Sequence, residues 1–186
     1  MSKEVKDFFR EMITIIVIAF ILAMILRTFV IEGRIIPSGS MLPTLQLQDR
    51  VMVNKFIYHF KEPQRGDIVV FAPPEVLNSK DDYIKRVIGL PGDTVEMKNN
   101  QVYINNKPLK EPYLAEPLNY EYGPVVVPDN CLLVLGDNRN HSFDSHMWNA
   151  WLTKDRIKGK AFVIYWPVKE IKLLDRGGLD ENTVNQ

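Results

Sequence analysis

Residues 35–45 read Ile-Ile-Pro-Ser-Gly-Ser-Met-Leu-Pro-Thr-Leu, and they begin shortly after the most apolar run of the chain. Pro37 and Pro43 each fix φ and lack a backbone donor, so this stretch cannot form the interior of a helix. Gly39 permits backbone angles, or a close approach, that a side chain would forbid. These features predict a stiff turn that presents Ser40. Taken alone, an ordinary loop is the simpler interpretation, and a nucleophilic serine requires a base elsewhere in the chain.

The run that precedes this turn is apolar on all sides. Met12 to Leu26 carries no charged side chain, and Arg27 is the only charge before Ile31. A membrane-spanning helix needs about 20 mostly apolar residues, so we predict a transmembrane anchor over residues 12–31 that follows a short tail over 1–11, a tail that is cytoplasmic under the family resemblance given below. A buried core helix and a cleaved signal peptide are the alternatives, but no small-residue cleavage site follows the run. The charges on its two sides are nearly balanced and do not set its orientation.

After residue 50, short Val- and Ile-rich runs alternate with turn signals, which is typical of an all-β domain. Asn99-Asn100 and Asn105-Asn106 predict hairpin turns. Residues 107–124 hold four prolines and predict a surface excursion. Residues 152–158 indicate one helical turn, and residues 177–186 a flexible tail. We therefore predict an antiparallel β-sheet or partial barrel over residues 32–176, with strands at 50–54, 67–72, 82–90, 94–97, 101–104, 125–127, 132–135 and 160–166.

The composition limits the possible functions. Lys plus Arg and Asp plus Glu both number 23, so no basic excess points to nucleic acid. Cys131 is the single cysteine of the chain, which rules out an internal disulfide and an all-cysteine metal site. Its apolar neighbours predict a small buried hydrophobe.

A base for Ser40 has two kinds of candidate. His59, His141 and His146 are the histidines of the chain, and their surroundings favour structural or solvated roles. Lys85 lies in an apolar strand, where burial disfavours the ammonium and lowers the pKa of the amine. Lys85 and Arg86 point to opposite faces of that strand, so one of them must face inward, where only a lysine can become neutral. The alternative is that Lys85 extends to an exposed edge.

Residues 136–145 form a third notable stretch, Gly-Asp-Asn-Arg-Asn-His-Ser-Phe-Asp-Ser. Such side chains bond to local backbone and shape loops. Two carboxylates are too few for a calcium loop.

Four segments in order resemble the bacterial type I signal peptidases, the membrane-bound Ser–Lys leader peptidases. They are residues 36–41, 65–71, 83–93 and 136–145, and with the apolar run the resemblance covers roughly residues 10–168. It implies a single-anchor serine endopeptidase with its catalytic domain on the outer face of the plasma membrane and its N-terminus in the cytoplasm. It implies signal peptides of exported preproteins and the lipid bilayer as partners, with no metal, organic cofactor or nucleic acid. We expect a monomer.

The resemblance also implies roles for individual residues. Ser40 matches the nucleophile and Lys85 the general base. Ser38 matches the serine that completes the oxyanion hole, and Ser142 matches the serine that orients the lysine. Two further sets are implied: Asp137, Arg139 and Asp144 brace the site, and Ile36, Met41, Val70 and Ile84 surround the pockets for small substrate side chains.

Two positions depart from the family pattern. His146 stands where an arginine is usual, which puts the expected salt bridge in doubt and makes it sensitive to pH. Asn149 stands where a glycine is usual, and asparagine tolerates the left-handed conformation that such a turn needs.

Two other hypotheses keep part of this pattern. A soluble self-cleaving Ser–Lys protein of related fold would carry a DNA-binding helix-turn-helix in place of the apolar run. A membrane-tethered β domain that only binds exported proteins would not react with serine-directed acylating inhibitors.

Overall fold

The computed structural model describes residues 3–25 and 30–179. The described residues form mainly antiparallel β structure behind one N-terminal helix, as the sequence predicted. The two helices are α1 Lys3–Ile25 and α2 Ser145–Trp148. The strands are β1 Ile31–Ile35, β2 Arg50–Asn54, β3 Ile68–Phe71, β4 Tyr83–Gly89, β5 Thr94–Lys98, β6 Gln101–Ile104, β7 Lys107–Pro108, β8 Tyr122–Val126, β9 Cys131–Leu135, β10 Leu152–Thr153, β11 Ile157–Trp166 and β12 Lys172–Leu173.

The N-terminal helix and the predicted anchor overlap without coinciding. Helix α1 includes residues 3–11, the charge-rich segment that we assigned to a tail. Residues 26–29 of the predicted anchor lie outside the described part of the chain. Ile31 opens β1 instead of closing a helix, because its backbone pairs with Asn54 of β2. Within residues 3–25 and 30–179, no helix combines the length and the apolar character that crossing a membrane requires.

The larger sheet carries the site. Its strand order is β1-β2-β11-β3-β4-β9-β10, with β12 paired to β11, and all pairings are antiparallel. Strands β1 and β4 are separated by three strands in this order. Nevertheless, Arg34 of β1 forms a 2.9 Å ion pair with Asp82, directly before β4. The sheet therefore curls into a partial barrel, and this curl creates a groove between β1 and β4.

The smaller sheet has the order β7-β6-β5-β8. Both asparagine pairs adopt positive φ (49° and 64° at Asn99 and Asn100, 52° and 66° at Asn105 and Asn106), as the hairpin prediction requires. Residues 107–124 are less peripheral than predicted. They begin in β7 and end in β8, and Leu109 and Leu118 are buried in the core of this sheet.

The C-terminal boundary also differs from the prediction. Leu179 is 1% exposed and packs in the core of the smaller sheet. Gly177 adopts a φ of 64° close to Tyr113, where a Cβ would overlap the ring. Residues 177–179 therefore belong to the domain, whereas residues 180–186 of the predicted tail lie outside the described part of the chain.

Two local details complete the comparison with the sequence. The helical turn expected over 152–158 is a 3₁₀ turn at Lys154–Arg156 between β10 and β11. Cys131 is buried, as predicted.

Candidate active site

The turn at residues 38–41 is held by its apolar flanks. Ser38 is extended (φ −135°, ψ 159°), and Gly39–Met41 form a 3₁₀ turn. Met41 and Leu45 are fully buried in the core of the curled sheet, and the Leu45 N–H donates to the Met41 carbonyl at 3.0 Å. Gly39 does not use a left-handed conformation. It allows a close approach, because a Cβ there would lie 3.1 Å from Leu42 Cδ1. The buried neighbours thus fix Ser40 on the turn.

Lys85 lies directly against this serine. Its Nζ is 2.6 Å from Ser40 Oγ, and the residue is 5% exposed. Strand β4 places it there through the antiparallel pairing of Lys85 with Val69 of β3. Burial lowers the pKa of the Lys85 amine to about 8, although the charges of Asp144 and Asp137 oppose this shift. A neutral amine at this distance can accept the serine proton.

Arg86 faces inward as well, whereas the sequence analysis required an inward position for one residue of the pair. It is 1% exposed. Its Nε and Nη2 donate to the two oxygens of Asp137 at 2.9 and 2.7 Å, and its Nη1 donates to the Gly66 carbonyl at 2.9 Å. A buried arginine is tolerated when its donors are satisfied and a carboxylate balances its charge. Both faces of β4 are therefore covered at this point.

The polar loop at 136–144 is fastened to the serine turn. The Asn138 N–H donates to the Ser40 carbonyl at 3.1 Å, and Asn138 Nδ2 donates to the Gly39 carbonyl at 3.0 Å. A Cβ on Gly136 would overlap Ser142 Oγ and the Ser40 carbonyl oxygen. Only glycine therefore permits the loop to approach this closely.

The serines expected to assist Ser40 and Lys85 are both nearby. Ser38 Oγ lies 3.4 Å from Ser40 Oγ, at the exposed side of the turn. Ser142 is buried, but its Oγ has no hydrogen-bond partner among the described residues. The bond expected between Ser142 and Lys85 is therefore not formed in this conformation. Buried hydroxyl groups are rarely left without a hydrogen bond. The exceptions are often found at functional sites.

Asp144 is paired with the histidine that departs from the family pattern. Asp144 is fully buried, and its Oδ2 accepts from the Gly136 N–H at 2.8 Å. Its Oδ1 lies 2.6 Å from His146 Nδ1, so the histidine occupies the position of the expected salt bridge. Asn149 ends α2 with φ 52° and ψ 32°, the left-handed conformation that we predicted for it.

Two adjoining cavities flank the Ser40–Lys85 pair. One, of about 520 Å³, is lined by Ser38, Ser40, Lys85 and the loop residues Asn138, His141 and Phe143, among others. The other, of about 330 Å³, is lined by Ile36, Val70 and Ile84 and is bordered by the Arg34–Asp82 ion pair. Three of the four predicted pocket residues thus border this second cavity. Met41 lines neither cavity, because it is fully buried in the core beneath them.

Several residues near the site escaped the sequence analysis. Thr44 Oγ1 donates to Asp137, and Asn138 holds the turn. Glu111 and Tyr113, from the segment assigned to a surface excursion, contact the buried Arg139. Glu111 and Arg139 are 28 residues apart, so no local pattern connects them.

Among the described residues, no three His, Cys, Asp or Glu side chains converge as a metal site would require.

Comparison with known proteins assigns the family. Residues 9–166 match the model of signal peptidase, peptidase S26. The chain is 53% identical over 161 residues to a probable signal peptidase I-2 of Synechocystis, covering 85% of this chain and 73% of that protein. It is 43% identical over 168 residues to signal peptidase I S of Bacillus subtilis, covering 84% and 88%. A crystal structure of a signal peptidase I from Enterococcus faecalis matches with a TM-score of 0.47 and 33% identity, covering 54% of this chain and 97% of that one. The chain thus belongs to the signal peptidase family, peptidase S26, the serine proteases that remove signal peptides from exported proteins.

Proposed function

We propose that Ser40 is the nucleophile and Lys85 the general base of signal-peptide cleavage in this protein. The observation that carries the proposal is the 2.6 Å contact between Lys85 Nζ and Ser40 Oγ inside a largely buried site. The lowered pKa of Lys85, about 8, supports it, because a useful fraction of the amine is then neutral near physiological pH. Among the described residues, the hydrogen-bond partners of Ser40 Oγ are Ser38 and Lys85, and no histidine ring nitrogen bonds to it.

The first half of the reaction forms an acyl-enzyme. Neutral Lys85 accepts the proton of Ser40 as Oγ attacks the carbonyl carbon of the scissile bond. The oxyanion that develops accepts hydrogen bonds from the Ser40 N–H and from the Ser38 hydroxyl, each worth about 3–4 kcal/mol in other proteases. The ammonium of Lys85 then gives the proton to the leaving amine, which departs with the mature protein.

The second half returns the enzyme to its starting state. Lys85 accepts a proton from water, the resulting hydroxide adds to the acyl carbon, and Ser40 leaves with the proton held by Lys85. Ser142 is suited to orient the amine during both halves. Its buried hydroxyl has no hydrogen-bond partner among the described residues in this conformation, so it is available to bond to Lys85 during the reaction. This chemistry needs no metal or organic cofactor.

The cavity beside Ile36, Val70 and Ile84 suits small apolar side chains of the signal peptide. The substrate would lie extended along the groove between β1 and β4. The outer edge of β1 has no paired strand among the described residues, and strand addition to a free edge satisfies the backbone of an extended peptide.

Replacement of the nucleophile tests the proposal. Purified protein in detergent should cleave a preprotein, and Ser40→Ala should lose this activity while it remains folded by circular dichroism. Ser38→Ala should keep part of the activity, because the Ser40 N–H remains as an oxyanion donor. Preserved cleavage by Ser40→Ala would refute the assignment, and unchanged cleavage by Ser38→Ala would reduce Ser38 to a turn residue.

Members of the family are in general membrane-associated, and we propose that residues 12–31 anchor this protein with residues 32–186 on the outer face. The side chains of Ile15 and Phe20 on α1 are 67% and 66% exposed. Burial of such a side chain in an apolar phase gains about 1.5–3 kcal/mol, so lipid is a favourable environment for this helix. For three aromatic residues, Phe29, Tyr58 and Phe60, the sequence allows either contact with lipid or packing in the core. Phe60 is 73% exposed, Tyr58 packs against a core cluster, and Phe29 lies outside the described residues. The expected monomer stays a prediction.

Proteolysis of intact spheroplasts tests this topology. Added protease should digest the catalytic domain or remove a tag placed after Gln186, while a cytoplasmic marker protein survives. Protection of the tag until the membrane is disrupted would reverse the proposed orientation.

A further inference from the structure

The segment between β7 and β8 reaches into the interior of the domain beside the polar loop at residues 136–144, named the catalytic loop below because it holds the Ser40 turn. The segment carries Glu111, whose acidic side chain is only 5% exposed. Its two oxygens accept from Nη1 and Nη2 of Arg139 at 2.8 and 2.5 Å, and Arg139 is fully buried. Arg139 belongs to the loop at 136–144, and its Nε donates to the Gly136 carbonyl of the same loop. A carboxylate from outside the loop therefore balances the charge buried within it.

Tyr113 extends the contact to the strand that carries Lys85. Its hydroxyl donates to Glu111 Oε1 at 2.7 Å and accepts from Arg139 Nη2 at 3.3 Å. Its ring lies 4.1 Å from the guanidinium carbon of Arg86, a cation–π distance. Burial, followed by the charge of Glu111, raises the pKa of Tyr113 well above its usual range, so the phenol remains a donor. One short segment thus touches the residue next to Lys85 on one side and the catalytic loop on the other.

Asn140 adds a second attachment at the exposed end of the loop. Asn140 Nδ2 donates to Glu116 Oε1 at 2.9 Å and to the Pro117 carbonyl at 3.1 Å, and its Oδ1 accepts from the Asn119 N–H at 2.9 Å. Together with the contacts of Arg139, these bonds fix the loop at the two residues that directly follow Asn138. Asn138 in turn holds the backbone of Gly39 and Ser40.

We propose that Glu111 and Tyr113 are positioning residues for peptide-bond cleavage, which act through Arg139 and Arg86 to hold the catalytic loop against the Ser40 turn and to balance the buried charge beside Lys85. The proposal rests on the roles proposed above for Ser40 and Lys85. Neither residue touches the cavity at Ser40, so they position the site and do not react.

The charges explain why this role has a signature in the pH profile. Lys85 is faced by Asp144, Asp137, the Ser40 hydroxyl and, at 6.0 Å, the Tyr83 ring, while His146 and Tyr120 lie beyond Asp144. Arg86 and Arg139 are balanced by Asp137 and Glu111. Neutralising Glu111 leaves one buried positive charge in excess behind Lys85, which disfavours its ammonium form. The acid limb of the rate profile should therefore move to lower pH.

Glu111→Gln is the main test variant, because it removes the charge with little change in shape. We expect kcat per active site, counted with a serine-directed acylating probe, to fall about tenfold to a hundredfold with KM nearly unchanged. We expect the acid limb to move to lower pH. The double variant Glu111→Gln/Arg139→Gln should return the limb toward that of the parent, because it restores the charge balance. Glu75→Gln is the matched control, since Glu75 pairs with Arg156 at the surface and is 89% exposed.

A purely supporting role for Glu111 predicts a different result. Glu111→Gln would then lower the melting temperature and the number of active sites, while kcat per site and the acid limb stay at parental values. That outcome overturns the proposal. Tyr113→Phe provides the same comparison if Glu111→Gln does not fold, because it removes only the hydroxyl, and parental kcat in that variant also overturns the proposal. If the parent cleaves while Ser40→Ala and Lys85→Arg do not, the roles of Ser40 and Lys85 stand whatever these variants do.

Discussion

Lys85 and Arg86 are neighbours on β4 and both are buried, yet their surroundings differ in kind. Within residues 3–25 and 30–179, the Lys85 amine forms one hydrogen bond, to Ser40, and burial lowers its pKa to about 8. Arg86 forms a bidentate pair with Asp137, donates to backbone carbonyls and packs against Tyr113. Burial alone therefore does not decide what a cation does. Where partners compensate the lost hydration, the cation keeps its charge, and where they do not, a lysine, unlike an arginine, loses its proton more readily.

The largest effect is expected when Lys85 is replaced by a cation that cannot lose its proton. Lys85→Arg should lose at least about a thousandfold in kcat/KM, as severe a loss as Lys85→Ala, because a guanidinium remains charged throughout the working pH range. Preprotein cleavage measured by gel, with folding checked by circular dichroism, decides this. Substantial turnover by Lys85→Arg would remove Lys85 as the base.

The next test removes the compensated cation. Arg86→Met leaves Asp137 buried with the Thr44 hydroxyl as its remaining side-chain hydrogen-bond donor among the described residues, and breaking a buried pair in this way costs about 3–5 kcal/mol. Denaturant unfolding of the purified protein should show the loss as a lower midpoint. A variant as stable as the parent would mean that water or a rearranged side chain replaces Arg86 without cost.

The contrast between the two neighbours marks the limit of what the sequence could predict. The apolar strand context of Lys85 is a local signal, and so are the asparagine pairs of the hairpins and the left-handed Asn149, all of which the structure confirms. The burial of Arg86 depends on Asp137, which is 51 residues away, and on Tyr113, so no local pattern could predict it.

The same reason explains the errors in the fold. Residues 31–35 contain Glu32, Gly33 and Arg34 directly after an apolar run, and they form a strand only because β2 pairs with them. Residues 107–124 contain four prolines and resemble a surface segment, but Leu118 and the partners of Arg139 hold them inside. Ser142 was assigned to Lys85 through the family resemblance, and its hydroxyl has no hydrogen-bond partner among the described residues.

The third prediction concerns Lys85→Met. We expect this variant to be more stable than the parent, whereas Arg86→Met should be less stable. The pKa of Lys85 is lowered from about 10.5 in the unfolded chain to about 8 in the fold, so the unfolded state binds more protons between these values. Stability therefore falls as pH drops from about 10.5 to about 8 and then levels off. Lys85→Met escapes this cost, which amounts to about 3 kcal/mol at most. Its advantage over the parent, from denaturant midpoints, should grow across that window and stay constant below it. An advantage independent of pH would mean that the ammonium is not penalised in the fold.

The smallest effects are expected from the histidines, and they test whether the proton acceptor has been assigned to the correct side chain. Below about pH 8, kcat/KM should fall about tenfold per pH unit, because only the neutral form of Lys85 is active. His141 is exposed at the rim of the cavity, and His146 pairs with Asp144 without contacting Ser40. His141→Ala and His146→Ala should therefore keep kcat/KM within a few-fold of the parent on the plateau, and both should keep the acid limb. The His146 variant is the stricter test, because it removes the side chain that pairs with Asp144. The charge of Asp144 continues to favour the ammonium form of Lys85 in this variant, so the acid limb should not move to lower pH. An acid limb that disappears in either variant would transfer the role of base from Lys85 to that histidine.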